Sequence, residues 1–244
     1  MKTVRLMVTC LVDSFFPEVG EGVLTVLEKA GLDVQFPGGQ TCCGQPAYNA
    51  GYWPEARKMA LHTLDVFERE AGDVIIPSGS CAHMIRHGYL ELFRTDSKNL
   101  SRAKNIAART YELSEYLVDV VSSFERPPSE RFGIVAYHPS CHALRGLGIE
   151  RQPKTLLEQA GIEVVSLEAE CCGFGGVFAV EHSELSAAML ERKLQAIEQS
   201  ECETVVACDV SCLMHIEGGL RKQGKQTRCA HLAQILAGQP SGLR

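Results

Sequence analysis

The sequence predicts an α/β fold: two tandem, pseudo-symmetric α/β domains with largely parallel sheets. Three observations carry that prediction. Four cysteine positions recur, Cys10, Cys42, Cys43 and Cys81 returning as Cys141, Cys171, Cys172 and Cys212 at offsets of 131, 129, 129 and 131 residues. A second stretch keeps step with them: Leu27-Glu28-Lys29-Ala30-Gly31-Leu32-Asp33-Val34 returns as Leu157-Glu158-Gln159-Ala160-Gly161-Ile162-Glu163-Val164, an offset of 130. Within each copy, short apolar runs alternate with helical periodicity, the pattern of strands joined by crossover helices. The domains are expected at 1–126 and 130–244, joined by Pro127-Pro128-Ser129. Each, at roughly 120 residues, is long enough to bury a core of its own.

In order along the chain, Val4 to Thr9 is an apolar strand running into Cys10. Val23 to Ala30 reads as an amphipathic helix closed by Gly31, and Asp33 to Phe36 as a short strand. Pro37-Gly38-Gly39 turns the chain towards Cys42-Cys43-Gly44. Trp53 to Glu70 has helical spacing through Met59, Leu61, Leu64, Val66 and Phe67. Asp73 to Pro77 is a buried strand, and Cys81 opens a helix reaching about Phe93. The second copy repeats the order: strand Gly133 to Tyr137, helix Pro153 to Ala160, strand Glu163 to Leu167, Cys171-Cys172-Gly173, helix Glu184 to Gln199, strand Thr204 to Ala207, helix from Cys212. Tyr111 to Leu117 has a weaker echo at Ala230 to Leu236, offset by 119, so the second copy lacks a counterpart of the polar stretch Thr95 to Asn105. The single cysteines thus stand at strand-to-helix junctions, where open α/β sheets collect ligands. Helix N-termini there favour thiolate over thiol.

Composition narrows the function classes. A formal charge of −6 and a pI near 5.8 argue against a nucleic-acid or acidic-membrane surface. Arg102, Lys104 and Arg109 read as a solvated helix face. The N-terminal apolar run is too short for a signal peptide, and no stretch has the length of a membrane span. A cytoplasmic protein is expected. Eleven cysteines in a reducing compartment point to metal or redox chemistry rather than disulfides, and the odd count cannot pair completely.

Soft thiolate ligands select iron–sulfur clusters or zinc. Adjacent cysteines cannot easily share one tetrahedral ion but can bind neighbouring metal atoms, so Cys-Cys-Gly favours a multi-iron cluster over zinc. Lone cysteines such as Cys202 and Cys229 read as small buried hydrophobes. His138 and His142 flank Cys141, and either could ligate metal or donate to a cluster sulfur. His83 and His215 follow the last cysteine of each half and could move protons beside it. Gly173-Phe174-Gly175-Gly176 lacks a nucleotide-binding strand and helix around it and reads as a turn shaping the metal loop. No Ser-His-Asp arrangement and no carboxylate pair is legible.

Thr9-Cys10-Leu11-Val12-Asp13, Thr41-Cys42-Cys43-Gly44-Gln45-Pro46-Ala47, Pro77-Ser78-Gly79-Ser80-Cys81, Cys171-Cys172-Gly173-Phe174-Gly175-Gly176 and Asp209-Val210-Ser211-Cys212-Leu213-Met214-His215-Ile216 resemble the cysteine-rich CCG domain family. That domain occurs twice in one of the heterodisulfide reductase proteins and in the glycolate oxidase iron–sulfur subunit; the resemblance is strongest to the lactate-utilisation protein A branch. It covers nearly the whole chain. It implies one component of an L-lactate oxidation system that passes electrons between a dehydrogenating partner and an acceptor. One or two clusters, of the [4Fe–4S] type, would be held by the eight repeated cysteines, with zinc an alternative in one half. Other subunits of the system are the expected partners, with peripheral contact to an electron acceptor.

The chain departs from the family's terminal Cys-x-x-Cys. Ser78 stands at the first of those positions in the first half, and Asp209 in the second, with Cys208 one place earlier. This puts the five-thiolate non-cubane cluster, and disulfide-cleaving chemistry, in question. Cys208 and Asp209 remain further candidate ligands, which would make the second site the firmer one. A heterodisulfide- or quinone-type reductase subunit and a non-redox subunit stabilised by metal are the alternative functions. A docking patch is expected around Phe15, Phe16, Tyr48, Tyr52 and Trp53, unless these aromatics fill the core beside the Cys-Cys loop.

Overall fold

A computed structural model describes residues 1–121, 132–239 and 242. The expected linker Pro127-Pro128-Ser129 lies outside the described residues. The first half runs β1 (Lys2–Leu6), α1 (Cys10–Phe15), α2 (Pro17–Lys29), β2 (Leu32–Gln35), α3 (Gln45–Asn49), α4 (Trp53–Phe67), β3 (Asp73–Ile76) and α5 (Gly79–His83). A π-helical turn, Met84–Gly88, then leads to α6 (Tyr89–Leu92), α7 (Ser97–Ala107), β4 (Thr110–Glu112) and α8 (Leu113–Glu115). The second half runs β5 (Ile134–Tyr137), a π-helical turn His142–Gly146, α9 (Arg151–Gln159), β6 (Glu163–Ser166), α10 (Phe178–Glu181), α11 (Ser183–Gln199), β7 (Thr204–Ala207), α12 (Val210–Lys222), β8 (Arg228–His231) and α13 (Leu232–Ala237).

Each half is one four-stranded sheet, ordered β2-β1-β3-β4 and β6-β5-β7-β8, with every pair parallel. The two registers match: Val4 pairs Val34 as Val135 pairs Val164. Parallel strands are covered on both faces, so they read as continuous apolar runs; all four residues of β7 are buried. In this strand order the chain reverses direction across the sheet between β1 and β3, and again between β5 and β7. Such switch points open a crevice at the strands' carboxyl ends. Cys10 and Cys81 follow the first pair, Cys141 and Cys212 the second.

The strands β4 and β8 fall on the weak Tyr111/Ala230 echo. Each is followed by a reciprocally capped helix start, Glu112 with Glu115 and His231 with Gln234. The polar stretch Thr95 to Asn105 forms most of α7, capped by Asp96 and buried through Ala103 and Ile106. Arg102 does lie on its outer side, paired with Asp65 and Glu68. Arg109 differs from the expected solvated face. Its guanidinium donates to the carbonyls of Phe67, Glu70 and Gly72, closing the carbonyl end of α4.

The two halves share a core. One apolar cluster joins Val23, Val26 and Leu27 of α2 to Leu232, Ala233 and Leu236 of α13, and Leu113, Tyr116 and Leu117 to Leu156 and Leu157 of α9. Each half's last helix therefore packs on the other half's first long crossover helix. A Cβ on Gly22 would stand 3.4 Å from the Ala233 backbone, so the α2–α13 approach depends on that glycine. Val12, Phe16 and Val19 of the first half also enter the second half's core. Among the described residues no helix is long and apolar enough to cross a membrane.

Candidate metal centre

Four short segments build each site. In the first half, Thr9 caps α1 through its hydroxyl and sets Cys10 as that helix's first residue. Ser78 caps α5 by accepting from Cys81 N at 3.3 Å. Between them comes the Cys42-Cys43 loop, where Gly44 has φ +87. Its counterpart Gly173 has φ +91. In both, the glycine N–H donates back to the first sulfur of the pair, at 3.5 Å to Cys42 Sγ and 3.4 Å to Cys171 Sγ. A Cβ on Gly173 would meet the Ser186 carbonyl at 2.6 Å, and one on Gly44 the Ala56 carbonyl at 3.3 Å. Conformation and space both require glycine, because α4 and α11 pack directly on these turns.

The thiols converge as the spacing predicts. Cys10 contacts Cys42, Cys42 contacts Cys43, and Cys43 Sγ lies 3.4 Å from Cys81 Sγ. Cys141, Cys171, Cys172 and Cys212 form the same chain of contacts. Both quartets face one chamber of about 260 Å³, lined also by Pro46, Phe174 and Gly176 and by the polar Ser78, Ser80, Ser140 and Asp209. Metal ligands bonded at about 2.3 Å must approach one another this closely. All eleven cysteines are free thiols. Within each quartet, neighbouring thiols donate to Cys42 and to Cys171 and hold them well below the usual thiol range. The hydrogen bonds they donate push Cys10, Cys43, Cys141 and Cys172 up, with burial adding to the rise. Cys212 is lowered to about 7, first by its hydrogen bond from Cys172, with His138 assisting against burial.

The other candidates divide. Asp209 lines the chamber, but its oxygens are engaged. Oδ1 accepts from Ser78 Oγ at 2.7 Å, Ser80 Oγ at 2.8 Å and Ser80 N at 3.1 Å, and Oδ2 accepts from Ser140 Oγ. Burial pushes this carboxyl up, yet the Ser140, Ser78 and Ser80 bonds outweigh it and leave it below its usual range. The Cys208 thiol lies in the core shared by the two halves, 3.9 Å from Tyr137 Oη, and does not line the chamber. Cys202 and Cys229 are buried in the second core. His142 touches Cys141 at 3.7 Å, and its ring meets that of His83 at a tilt of 51°, 5.2 Å away between centroids. His215 bonds Ser186 at 3.3 Å, behind Gly173. His138 is fully buried, its ring nitrogens meet no oxygen or nitrogen partner, and a ring nitrogen falls within 4.8 Å of the Cys172 and Cys212 sulfurs, the latter within its hydrogen-bonding reach. Among the expected docking aromatics, Phe16 is buried, whereas Phe15, Tyr52 and Trp53 are exposed and Tyr48 stacks on Trp53 at 5.7 Å. Sequence reading did not single out Ser80 and Ser140 as partners of Asp209. The signal was their position, one residue before Cys81 and Cys141.

A family model described as a cysteine-rich domain, CCG, matches residues 4–86 and 135–217, each bracketing one quartet. The chain belongs to the cysteine-rich CCG domain family. Curated relatives align with it nearly end to end. Lactate utilization protein A 2 of Bacillus cereus (strain Q1) is 42% identical over 237 residues, covering 96% of this chain and 97% of that one. Lactate utilization protein A of Anoxybacillus flavithermus is 43% identical over 236 residues, covering 96% and 98%. The fold also recurs in a crystal structure of a hypothetical protein from Helicobacter pylori, with a TM-score of 0.72 at 12% identity, over 98% of this chain and 49% of that one.

Proposed function

We propose that this chain is the iron–sulfur subunit of a cytoplasmic L-lactate-oxidising system, carrying electrons between a partner that oxidises lactate to pyruvate and an acceptor. The observation that carries the reading is the facing pair of four-thiol sites in a chain that aligns end to end with lactate utilization proteins A. Cys10, Cys42, Cys43 and Cys81 would hold one group, and Cys141, Cys171, Cys172 and Cys212 the other.

The donor set fits an iron–sulfur group. Each site supplies four converging sulfurs, half-buried or buried, and backbone N–H groups already aimed at sulfur. Such a group, when bound, takes up and returns single electrons. The protein's part is to hold the sulfurs, exclude water and keep the two centres on one chamber. Tyr89 donates to the Cys43 carbonyl at 2.9 Å and Ser186 to the Gly173 carbonyl at 2.8 Å, so both Cys-Cys loops are anchored from behind. A [4Fe–4S] group in each half is preferred to zinc because adjacent cysteines suit neighbouring metal atoms.

A heterodisulfide-type reductase has less support. It calls for a fifth thiolate in each half, and Ser78 and Asp209 stand at those positions, bonded to each other. The test is anaerobic purification. A brown chromophore bleached by dithionite is expected, with lactate-dependent dye reduction only after partner components are added. A colourless zinc protein, or full activity from the isolated chain, would overturn the proposal.

A further inference from the structure

The two sites are built from the same template, so any position where their buried surroundings differ in chemistry is informative. Behind the first quartet, the residue after β1 is Met7, whose N–H bonds the Ile75 carbonyl at 2.9 Å. Behind the second, the residue after β5 is His138, whose N–H bonds the Val206 carbonyl at 2.8 Å. The two positions are 131 residues apart, as are Ile75 and Val206, so they are structural equivalents. The first half places an apolar thioether there, 1% exposed. The second places an imidazole, 0% exposed, whose ring nitrogens meet no oxygen or nitrogen partner and which instead reaches the Cys212 sulfur.

A buried imidazole needs a partner for its ring nitrogens, and here sulfur is what it reaches. The polar atoms grouped with it are the Cys172 and Cys212 sulfurs, all within 4.8 Å of one another. Two thiolates and one imidazole around one point are a common metal donor set. A second difference points the same way. Gly44 faces Ala56 and Met59 while Gly173 faces Ser186 and Met189, an offset of 130 that makes Lys193 the equivalent of Thr63. Lys193 is 1% exposed, donates to the Glu168 carbonyl at 2.7 Å, and lies within electrostatic reach of Cys172 and Cys212. A buried cation there favours a site that gathers negative charge.

We propose that His138 is a protein ligand of the second centre, binding through a ring nitrogen the metal atom held by Cys172 and Cys212, and that the first centre has no such ligand. This rests on the reading that the quartets hold iron–sulfur groups. The two centres then differ in ligation although their cysteines match.

The test is pulsed electron paramagnetic resonance on the anaerobic, dithionite-reduced full chain, prepared with ring-15N histidine and at natural abundance. A strong coupling that changes with the isotope is expected in the wild type. It should vanish in His138→Met, which copies the first half's residue, while the first centre's signal is kept. An iron–sulfur signal without strong nitrogen coupling in the wild type overturns the ligand role, whether or not the variant folds; so does coupling that persists in His138→Met. If the purified chain has no iron–sulfur signal, the subunit reading fails separately, and cobalt(II) added to the metal-free full chain decides this one. Paramagnetically shifted imidazole resonances lost in His138→Met support it. Thiolate–cobalt charge-transfer bands without those resonances overturn it. A chain that takes up neither metal overturns both.

Discussion

Ser78 donates its hydroxyl to Asp209 across 2.7 Å, and the two residues are each other's repeat equivalents, 131 positions apart. The pseudo-two-fold relation between the halves therefore passes through this contact. One carboxylate ties Ser78 and Ser80 of the first half to Ser140 of the second. It also sits at the N-terminus of its own helix, α12, where negative charge is favoured. Asp209→Ala leaves three hydroxyls and one N–H without their shared acceptor. A loss on the order of 3 kcal/mol is expected in urea unfolding, against about 1 kcal/mol for Ser78→Ala. Equal losses would contradict the tie.

Gly173→Ala and Gly44→Ala both force a side chain into positive φ, at a cost of about 1–2 kcal/mol. Gly173 has the added conflict with the Ser186 carbonyl at 2.6 Å, whereas Gly44 has 3.3 Å to its nearest atoms. Thermal melts should rank Gly173→Ala below Gly44→Ala. Metal content should fall in the second half first. The reverse order would refute the packing argument.

Glu112 gives stability a pH dependence. Its carboxyl is fully buried, with Oε1 unpartnered, and burial raises it from 4.5 to about 7 despite hydrogen bonds from Ser114 and Glu115. Between those values the folded chain keeps a proton that the unfolded chain has released. Stability from this group is full below pH 4.5 and is lost as pH rises through 7, by on the order of 3 kcal/mol. Glu112→Gln should flatten that part of the stability curve; an unchanged slope would show that Glu112 is not its source.

Cys81→Ser and Cys212→Ser should each remove metal from their own half alone. Iron per chain, counted by chemical assay, should fall by about half in each and to near zero in the double variant, because four-thiol sites act independently when their ligands do not overlap. Complete loss from either single substitution would mean that the quartets hold one shared group.

Tyr52, 57% exposed, and Trp53, 43% exposed, stand just beyond the first Cys-Cys loop and form an aromatic rim. Such residues anchor partner contacts. Tyr52→Ala should weaken lactate-dependent dye reduction by the reconstituted system several-fold without loss of iron. Unchanged activity would remove this face from the interface.

The register of the cysteines made both quartets legible, because strand-end loops must converge when β1 and β3 lie side by side. Strands β4 and β8 were harder to read. Three or four residues such as Thr110-Tyr111-Glu112 carry little periodicity, and their place is set by pairing with β3 and β7. The shared core was likewise hidden: periodicity shows that Val26 and Leu236 are buried, but not that they belong to one core. Arg109 read as solvent-facing because its acceptors are backbone carbonyls, which leave no trace in side-chain pattern. The hydrogen bonds of Asp209, a candidate ligand in the sequence, were not legible there because the serines that engage it are remote in sequence.

A dimer of identical chains has to place the same residue at both of its centres, since any substitution appears twice. Covalent joining of two copies whose end helices already brace each other removes that obligation while keeping the architecture. Met7 and His138, Thr63 and Lys193, and Ser78 and Asp209 are three pairs in which this chain has used the freedom. On the proposed reading, unlike surroundings would give two otherwise matched centres unequal tendencies to hold an electron, and the chamber between them a direction that no symmetric pair could give it.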